Sequence, residues 1–270
     1  MKMSAHNSFI RPFVERVAET PVERHPFLHF NYQNVFPEEF YQSIQAHMPP
    51  DNCYRDYYHG DAILPSGRSA RLKLDLFPET LISLPKPLRT FWSNVSQQLQ
   101  SGEVEEIFKS KFSEVLEQRA GKPVSQIKLR AYPVLYRDIS GYKISIHPDS
   151  PRKAITTQFY LPADDSQSHL GTIFHERDSK GQFQQFRQLK FLPNSGYAFG
   201  VNKDSWHSVN TMCSGDIPRN SLMCVFYYDR GPAIEALKWV QRKLGVVRIL
   251  KRMMPSFQSS DAKFEGKIEM

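Results

Sequence analysis

Cysteine is scarce in this chain of 270 residues, with three, at positions 53, 213 and 224. An odd number at irregular spacing, with no C-x-x-C, suggests neither a disulfide framework nor a zinc site, so the three read as free buried thiols. No run approaches 18 apolar residues, which excludes a membrane-spanning helix. The first twenty residues place Arg11, Glu15 and Arg16 where a signal peptide needs an apolar stretch. Together these absences point to a cytoplasmic protein. Internal repeats and low-complexity tracts are also missing. Acidic residues are the minority charge, 28 against 35 Lys plus Arg, giving a net +7 with much of the excess near the C-terminus. That balance favours anionic partners without naming one. Aromatic residues are plentiful: 19 Phe, 12 Tyr and 3 Trp exclude disorder as the dominant state. The length suffices for one integrated domain with its own core.

Three stretches differ in texture. Residues 1–125 form a mostly helical segment. Phe9–Val17 reads as a short helix, and 27–32 alternates as a strand. Pro37-Glu38-Glu39 opens a helix that stops at Pro49-Pro50. Leu72, Leu74 and Leu76 mark a half-buried strand. One helix starts near Pro87, and another spans roughly 103–119 and ends before Gly121. Residues 126–230 switch to short strands with turn signals every 8–12 residues: 127–136, 142–146, 154–161, 172–175, 186–191, 197–201, 205–209 and 221–228. Eight such strands argue for an antiparallel sandwich or jelly roll, and helices collected ahead of them argue for an α+β fold with the helices on one side. Residues 231–270 carry a basic amphipathic helix over 233–254, with Leu237, Val240, Leu244, Val247 and Met254 on one stripe. It reads first as a cap that shows its charges to water and second as a membrane-surface helix.

Of nine histidines, His147 is the informative one, in Ile146-His147-Pro148-Asp149. A His-x-Asp pair alone is weak, since 13 aspartates and nine histidines yield roughly 0.4 such pairs by accident. Its context adds weight. Residues i and i+2 of an extended chain point the same way, so His147 and Asp149 can meet one ion. Pro148 keeps His147 out of helical space and suits a strand edge. Sixty residues on, His207 sits in another strand-like run, and two histidines with a carboxylate are the facial donor set of non-haem Fe(II) sites. Arg219 and Ser221 then share a face at the start of an apolar strand, a fork and a hydroxyl suited to a carboxylate. His175 reads as packed or solvent-facing, and Asp164-Asp165-Ser166 as a turn. Arg152 and Lys153 read first as exposed loop charges and second as contacts for an anionic substrate.

In this order and spacing, His147-x-Asp149, His207 and Arg219-x-Ser221 resemble the Fe(II)- and 2-oxoglutarate-dependent oxygenases. Tyr160-Leu161, Gly171-Thr172 and Phe191-Leu192-Pro193-Asn194 between the anchors are similar to that family as well. The resemblance covers about residues 127–228. It implies a double-stranded β-helix core, Fe(II) held by His147, Asp149 and His207, and 2-oxoglutarate bound by Arg219 and Ser221. It also implies a tyrosine hydroxyl on the cosubstrate, for which Tyr132, Tyr136 and Tyr142 all qualify, and hydroxylation of a C–H bond with release of succinate and CO2. Halogenating relatives lack the carboxylate, which Asp149 supplies here. Nucleic-acid dealkylating relatives carry a second arginine six residues after the first, where this chain has Val225, so nucleic acid is disfavoured. The expected acceptor is a small molecule, a sugar or a peptide, with a slight preference for an anionic one, and the basic helix leaves peripheral membrane contact open. Two rival readings remain: a cupin-like metal-binding jelly roll that ignores 2-oxoglutarate, and a non-catalytic binding module.

Overall fold

Alternation along one strand, Arg219–Tyr228, shows how the molecule is layered. Leu222, Cys224 and Phe226 are buried on one face against helices, while Arg219, Ser221 and Val225 are buried on the other. A strand buried on both faces needs a layer on each side. In the computed structural model, which describes residues 8–58 and 60–244, those layers are a set of helices and a second sheet.

The elements in chain order are α1 (Ile10–Glu19), β1 (His29–Gln33), α2 (Glu38–Ala46), β2 (Arg55–Asp56), β3 (Arg71–Asp75), α3 (Pro78–Leu81), α4 (Lys86–Leu99), α5 (Gly102–Lys111) and α6 (Ser113–Ala120). There follow β4 (Leu129–Asp138), β5 (Ile144–His147), β6 (Lys153–Tyr160), β7 (Ile173–Arg177), β8 (Phe183–Gln188), β9 (Ser195–Gly200), β10 (His207–Val209), β11 (Arg219–Tyr228) and α7 (Pro232–Leu244). Seven strands pair in the order β1-β9-β6-β11-β4-β3-β2, and four in the order β5-β10-β7-β8. Every pairing is antiparallel. The two sheets make the expected double-stranded β-helix, a jelly roll with helices on one side.

The larger core lies between the helices and the outer face of the large sheet. Phe13, Phe36 and Phe159 meet there with ring centroids 5.7 Å and 5.1 Å apart. Such aromatic pairs contribute about 0.5–1.5 kcal/mol each beyond their area. A second core, with Tyr142, Phe174, Tyr197 and Phe199, fills part of the space between the sheets.

All eight strands expected in 126–230 are present; the one expected at 186–191 lies at Phe183–Gln188. The single helix expected over 103–119 is two. Ser101 caps the first, the chain breaks at Phe112 (φ −116°, ψ 18°), and Gly121 (φ 63°) ends the second. The segment expected to be mostly helical also gives β1, β2 and β3 to the large sheet. Of the three thiols only Cys224 is buried, so the expectation of three buried cysteines is corrected. The C-terminal helix is described to Leu244, and the rest of its expected span lies outside the described residues. What is described turns its charges toward the body rather than to water, because they find aromatic and acidic partners there. No helix among the described residues is long and apolar enough to cross a membrane.

Candidate metal centre and anion site

β5 is an edge strand, and its last residue, His147, lies opposite His207 of β10 in register. Pro148 then ends the pairing, as proline must where a donor is needed, and the chain crosses to the large sheet. Asp149 sits on that crossing. Its Oδ2 accepts from Thr156 Oγ1 and its Oδ1 from Lys153 Nζ, each at 2.5 Å. One ligand atom from each of His147, Asp149 and His207 lies within 4.8 Å of the others, and the two imidazole centroids are 4.4 Å apart. Each histidine donates Nδ1–H to the carbonyl two residues back, Ser145 at 2.8 Å and Ser205 at 2.9 Å. That bond fixes the tautomer with the lone pair on Nε2, as metal-binding histidines require.

The electrostatics agree with a cation site. Burial, then the neighbouring His147, pushes His207 down to about 4, so its imidazole is neutral and able to ligate at neutral pH. Burial alone would raise the Asp149 carboxyl; the Lys153 ammonium and the two imidazoles override it and hold it well below the usual carboxylate range. Lys153 is held above its ordinary value by the same pairing, against its own burial. The turn carrying these groups is fastened from outside by Arg119 of α6. Arg119 Nη1 donates to the carbonyls of Lys153 (2.8 Å) and Val201 (2.5 Å), and Nη2 donates to that of Pro151 (2.6 Å).

The other expected anchor lies on the inner face of the same large sheet. Arg219 pairs in register with Asp138 of β4, and Asp138 pairs with Arg71 of β3. Arg71 grips Asp138 bidentately, Nε to Oδ1 at 2.6 Å and Nη2 to Oδ2 at 3.1 Å. Arg219 adds Nη1 to Oδ2 at 2.8 Å and sends Nε to the Leu170 carbonyl at 2.7 Å. Its Nη2 is buried and makes no hydrogen bond, although the Tyr160 phenol is close enough to feel it. A buried donor without an acceptor is unfavourable. Two guanidiniums against one carboxylate leave this buried site with one net positive charge, which an anionic acceptor would balance.

Ser221, two residues along, lies opposite Tyr136 and Tyr160, and its hydroxyl accepts from Gln158 Nε2 at 2.7 Å. Val225 lies opposite Thr156, which orients Asp149. Ser221 to Val225 is about 13 Å of strand at ~3.3 Å per residue, so both sites share one floor, with Gln158 and Met223 paired between them. The three tyrosine candidates separate. The Arg71 guanidinium lies 4.3 Å from the Tyr136 ring and 4.4 Å from that of Tyr142, beside the anion site. Tyr132 lies opposite Val225 and gives its hydroxyl to Glu235 of α7, away from Arg219.

His175 is packed, its Nε2 2.7 Å from Ser208 Oγ, and Asp164 caps its own turn through Ser166 N at 3.0 Å. Sequence reasoning missed Arg71, Asp138, Thr156 and Gln158, and it read Lys153 first as an exposed loop charge. Lys153 had one signal, its i,i+4 spacing from Asp149.

The sequence matches no family model and no curated protein. Among solved structures, it is similar to a 2OG-Fe(II) oxygenase-family oxidoreductase from Burkholderia pseudomallei, at 11% identity over 86% of this chain and 95% of that one, TM-score 0.47. A Pseudomonas putida prolyl-4-hydroxylase gives 11% identity, 82% and 98% coverage, and TM-score 0.45. A prolyl hydroxylase from Trichoplax adhaerens, solved with a hypoxia-inducible-factor peptide, gives 8%, 82% and 90%, and 0.48. At such distance, the chemistry of the site is read from its own geometry.

Proposed function

We propose that the chain is an Fe(II)- and 2-oxoglutarate-dependent oxygenase that hydroxylates a C–H bond. One observation carries the reading: a two-histidine, one-carboxylate donor set lies between the two sheets against Thr156, on the same inner face of the large sheet that carries a buried, anion-seeking guanidinium. The donor set fits Fe(II), because borderline imidazoles with a single carboxylate suit it. The orphaned Arg219 Nη2 fits the distal carboxylate of 2-oxoglutarate.

Bound there, Fe(II) and 2-oxoglutarate would supply the oxidising power, with O2 and 2-oxoglutarate consumed, succinate and CO2 released, and one oxygen atom placed on the acceptor. His147, Asp149 and His207 hold the metal. Thr156 and Lys153 keep the Asp149 carboxylate aimed and ionised. Arg219 and Ser221 orient the cosubstrate from its far end, and Tyr136 and Tyr142 close the wall beside Arg71. The buried aromatic cluster of Tyr142, Phe174, Tyr197 and Phe199 keeps bulk water from that end. The acceptor is a small molecule, a sugar or a peptide, and the net positive charge favours an anionic one.

The test is an anaerobic titration of the full chain with Fe(II) and then 2-oxoglutarate. A weak visible charge-transfer band and, on admitting air, slow formation of succinate are expected. Asp149→Ala should abolish both. A wild-type protein that binds the metal but leaves 2-oxoglutarate untouched is instead a cupin-like metal protein.

A further inference from the structure

Residues directly opposite one another in an antiparallel pair put their side chains on the same side of the sheet. From Ser221 toward the free edge, the row opposite it runs through Tyr136 of β4 and Lys73 of β3 to Arg55 of β2. The next row runs from Gln158 through Met223 and Val134 to Asp75 of β3. Both rows lie on the inner face that carries Thr156 and Arg219. At their outer end two cations meet one carboxylate: Lys73 Nζ stands 3.5 Å from Asp75 Oδ1, and the Arg55 guanidinium pairs with Oδ2. Burial alone would raise the Asp75 carboxyl; Lys73 and Arg55 override it and keep it ionised. Arg55 Nε is buried and makes no hydrogen bond, an unfavourable state for a donor. The arrangement repeats the one around Asp138, where two guanidiniums share a carboxylate and one N–H is left over. Access separates them. The Arg219 side chain is fully buried, whereas that of Arg55, on the edge strand, is 30% exposed.

Between this edge cluster and the metal donors the floor is apolar. Thr156, which holds Asp149, lies opposite Val225, and Met223 and Val134 continue the line diagonally to Asp75. Val134 and Val225 are buried yet join neither hydrophobic core, and Met223 between them is half-buried. β6 and β3 are three strand spacings apart, about 14 Å at ~4.8 Å each. We propose that Arg55 and Lys73 bind the anionic end of the acceptor, a carboxylate or a phosphate, while an apolar stem lies along Val134, Met223 and Val225 and presents its C–H bond at the metal donors. This rests on the function proposed above and narrows its acceptor to a long amphiphilic acid. Guanidinium and ammonium donors suit either headgroup, and burial of the stem adds to the affinity.

The experiment is calorimetry of the full chain, loaded with Mn(II) and 2-oxoglutarate, against decanoate, decyl phosphate and neutral decanol. At least one acid should bind about tenfold or more tightly than decanol, which makes no charge-assisted hydrogen bond, and the tighter acid identifies the headgroup. Acetate, with the charge and no stem, should bind about tenfold or more weakly than decanoate. Arg55→Met should remove the preference for acid over alcohol. Asp75→Asn releases both cations and should tighten acid binding, which a cluster that merely braces two strands would not do. Circular dichroism and Mn(II) binding show that each variant is folded. The inference is overturned if acid and alcohol bind alike, if acetate matches decanoate, if Arg55→Met keeps the preference, or if folded Asp75→Asn binds acids no more tightly. Succinate formation with Fe(II) and air is scored separately. A chain that forms succinate but prefers no acid keeps the proposed function and loses this inference. One that binds acids through Arg55 yet forms no succinate refutes the proposed function and retains the acid site.

Discussion

Arg219 enters the site already committed to Asp138, which is unusual company for a guanidinium proposed to receive a carboxylate. Two like-charged acceptors cannot share it cheaply, and Arg71 resolves the conflict. By taking both oxygens of Asp138, Arg71 offsets the resident charge and leaves Arg219 Nη2 for an incoming one. On the proposed function, Arg71 is a positioning residue that acts through Asp138. Arg71→Met should weaken 2-oxoglutarate binding by tenfold or more, at ~1.5–3 kcal/mol for a hydrogen bond to a charged group. Calorimetry with Mn(II) in place of Fe(II) measures it, and metal binding should persist. Adding Asp138→Asn restores the net charge and should recover much of the loss, and the double-mutant cycle reads the coupling directly. Equal affinity in wild type and Arg71→Met would show that Arg71 is structural only.

At the level of elements, close contact between β1, β9 and β6 depends on Gly196. A Cβ built there would lie 2.1 Å from the Gln158 carbonyl oxygen and 2.7 Å from the Tyr32 ring. Backbone cannot yield as a flexible side chain can. Gly196→Ala should destabilise the fold by about 1–3 kcal/mol or more, as overpacking does, seen as a lower chemical-denaturation midpoint; an unchanged midpoint would mean the strands can part. The same strands show what a sequence displays and what it withholds. The strands of 126–230 and the residues His147, Asp149, His207, Arg219 and Ser221 were legible, because period-two patterning and i,i+2 spacing are local. Arg71 and Asp138 were not, since they meet Arg219 only through the register of β3, β4 and β11. β2, at two residues, is too short to show a period. The break between α5 and α6 was hidden because Phe112 continues the apolar stripe across it.

For the molecule as a whole, the candidate metal centre spans the two sheets. His147 and His207 belong to the small sheet, and Asp149 is held by Thr156 and Lys153 of the large one. A bound ion therefore ties the sheets together. Mn(II) at 100 times its dissociation constant adds about 2.7 kcal/mol of stability, which at ~2–4 °C per kcal/mol raises the melting temperature by roughly 5–10 °C. The rise should vanish in His207→Ala, and amide exchange in β5 and β10 should slow more than in the helices. A shift that survives the substitution places the ion elsewhere. The turn between the sheets carries one more device, the Arg119 fork on the carbonyls of Pro151, Lys153 and Val201. In a chain whose three thiols stay free, this cross-link is built from a cation and three oxygens. Reductants do not open it and oxidants do not forge it.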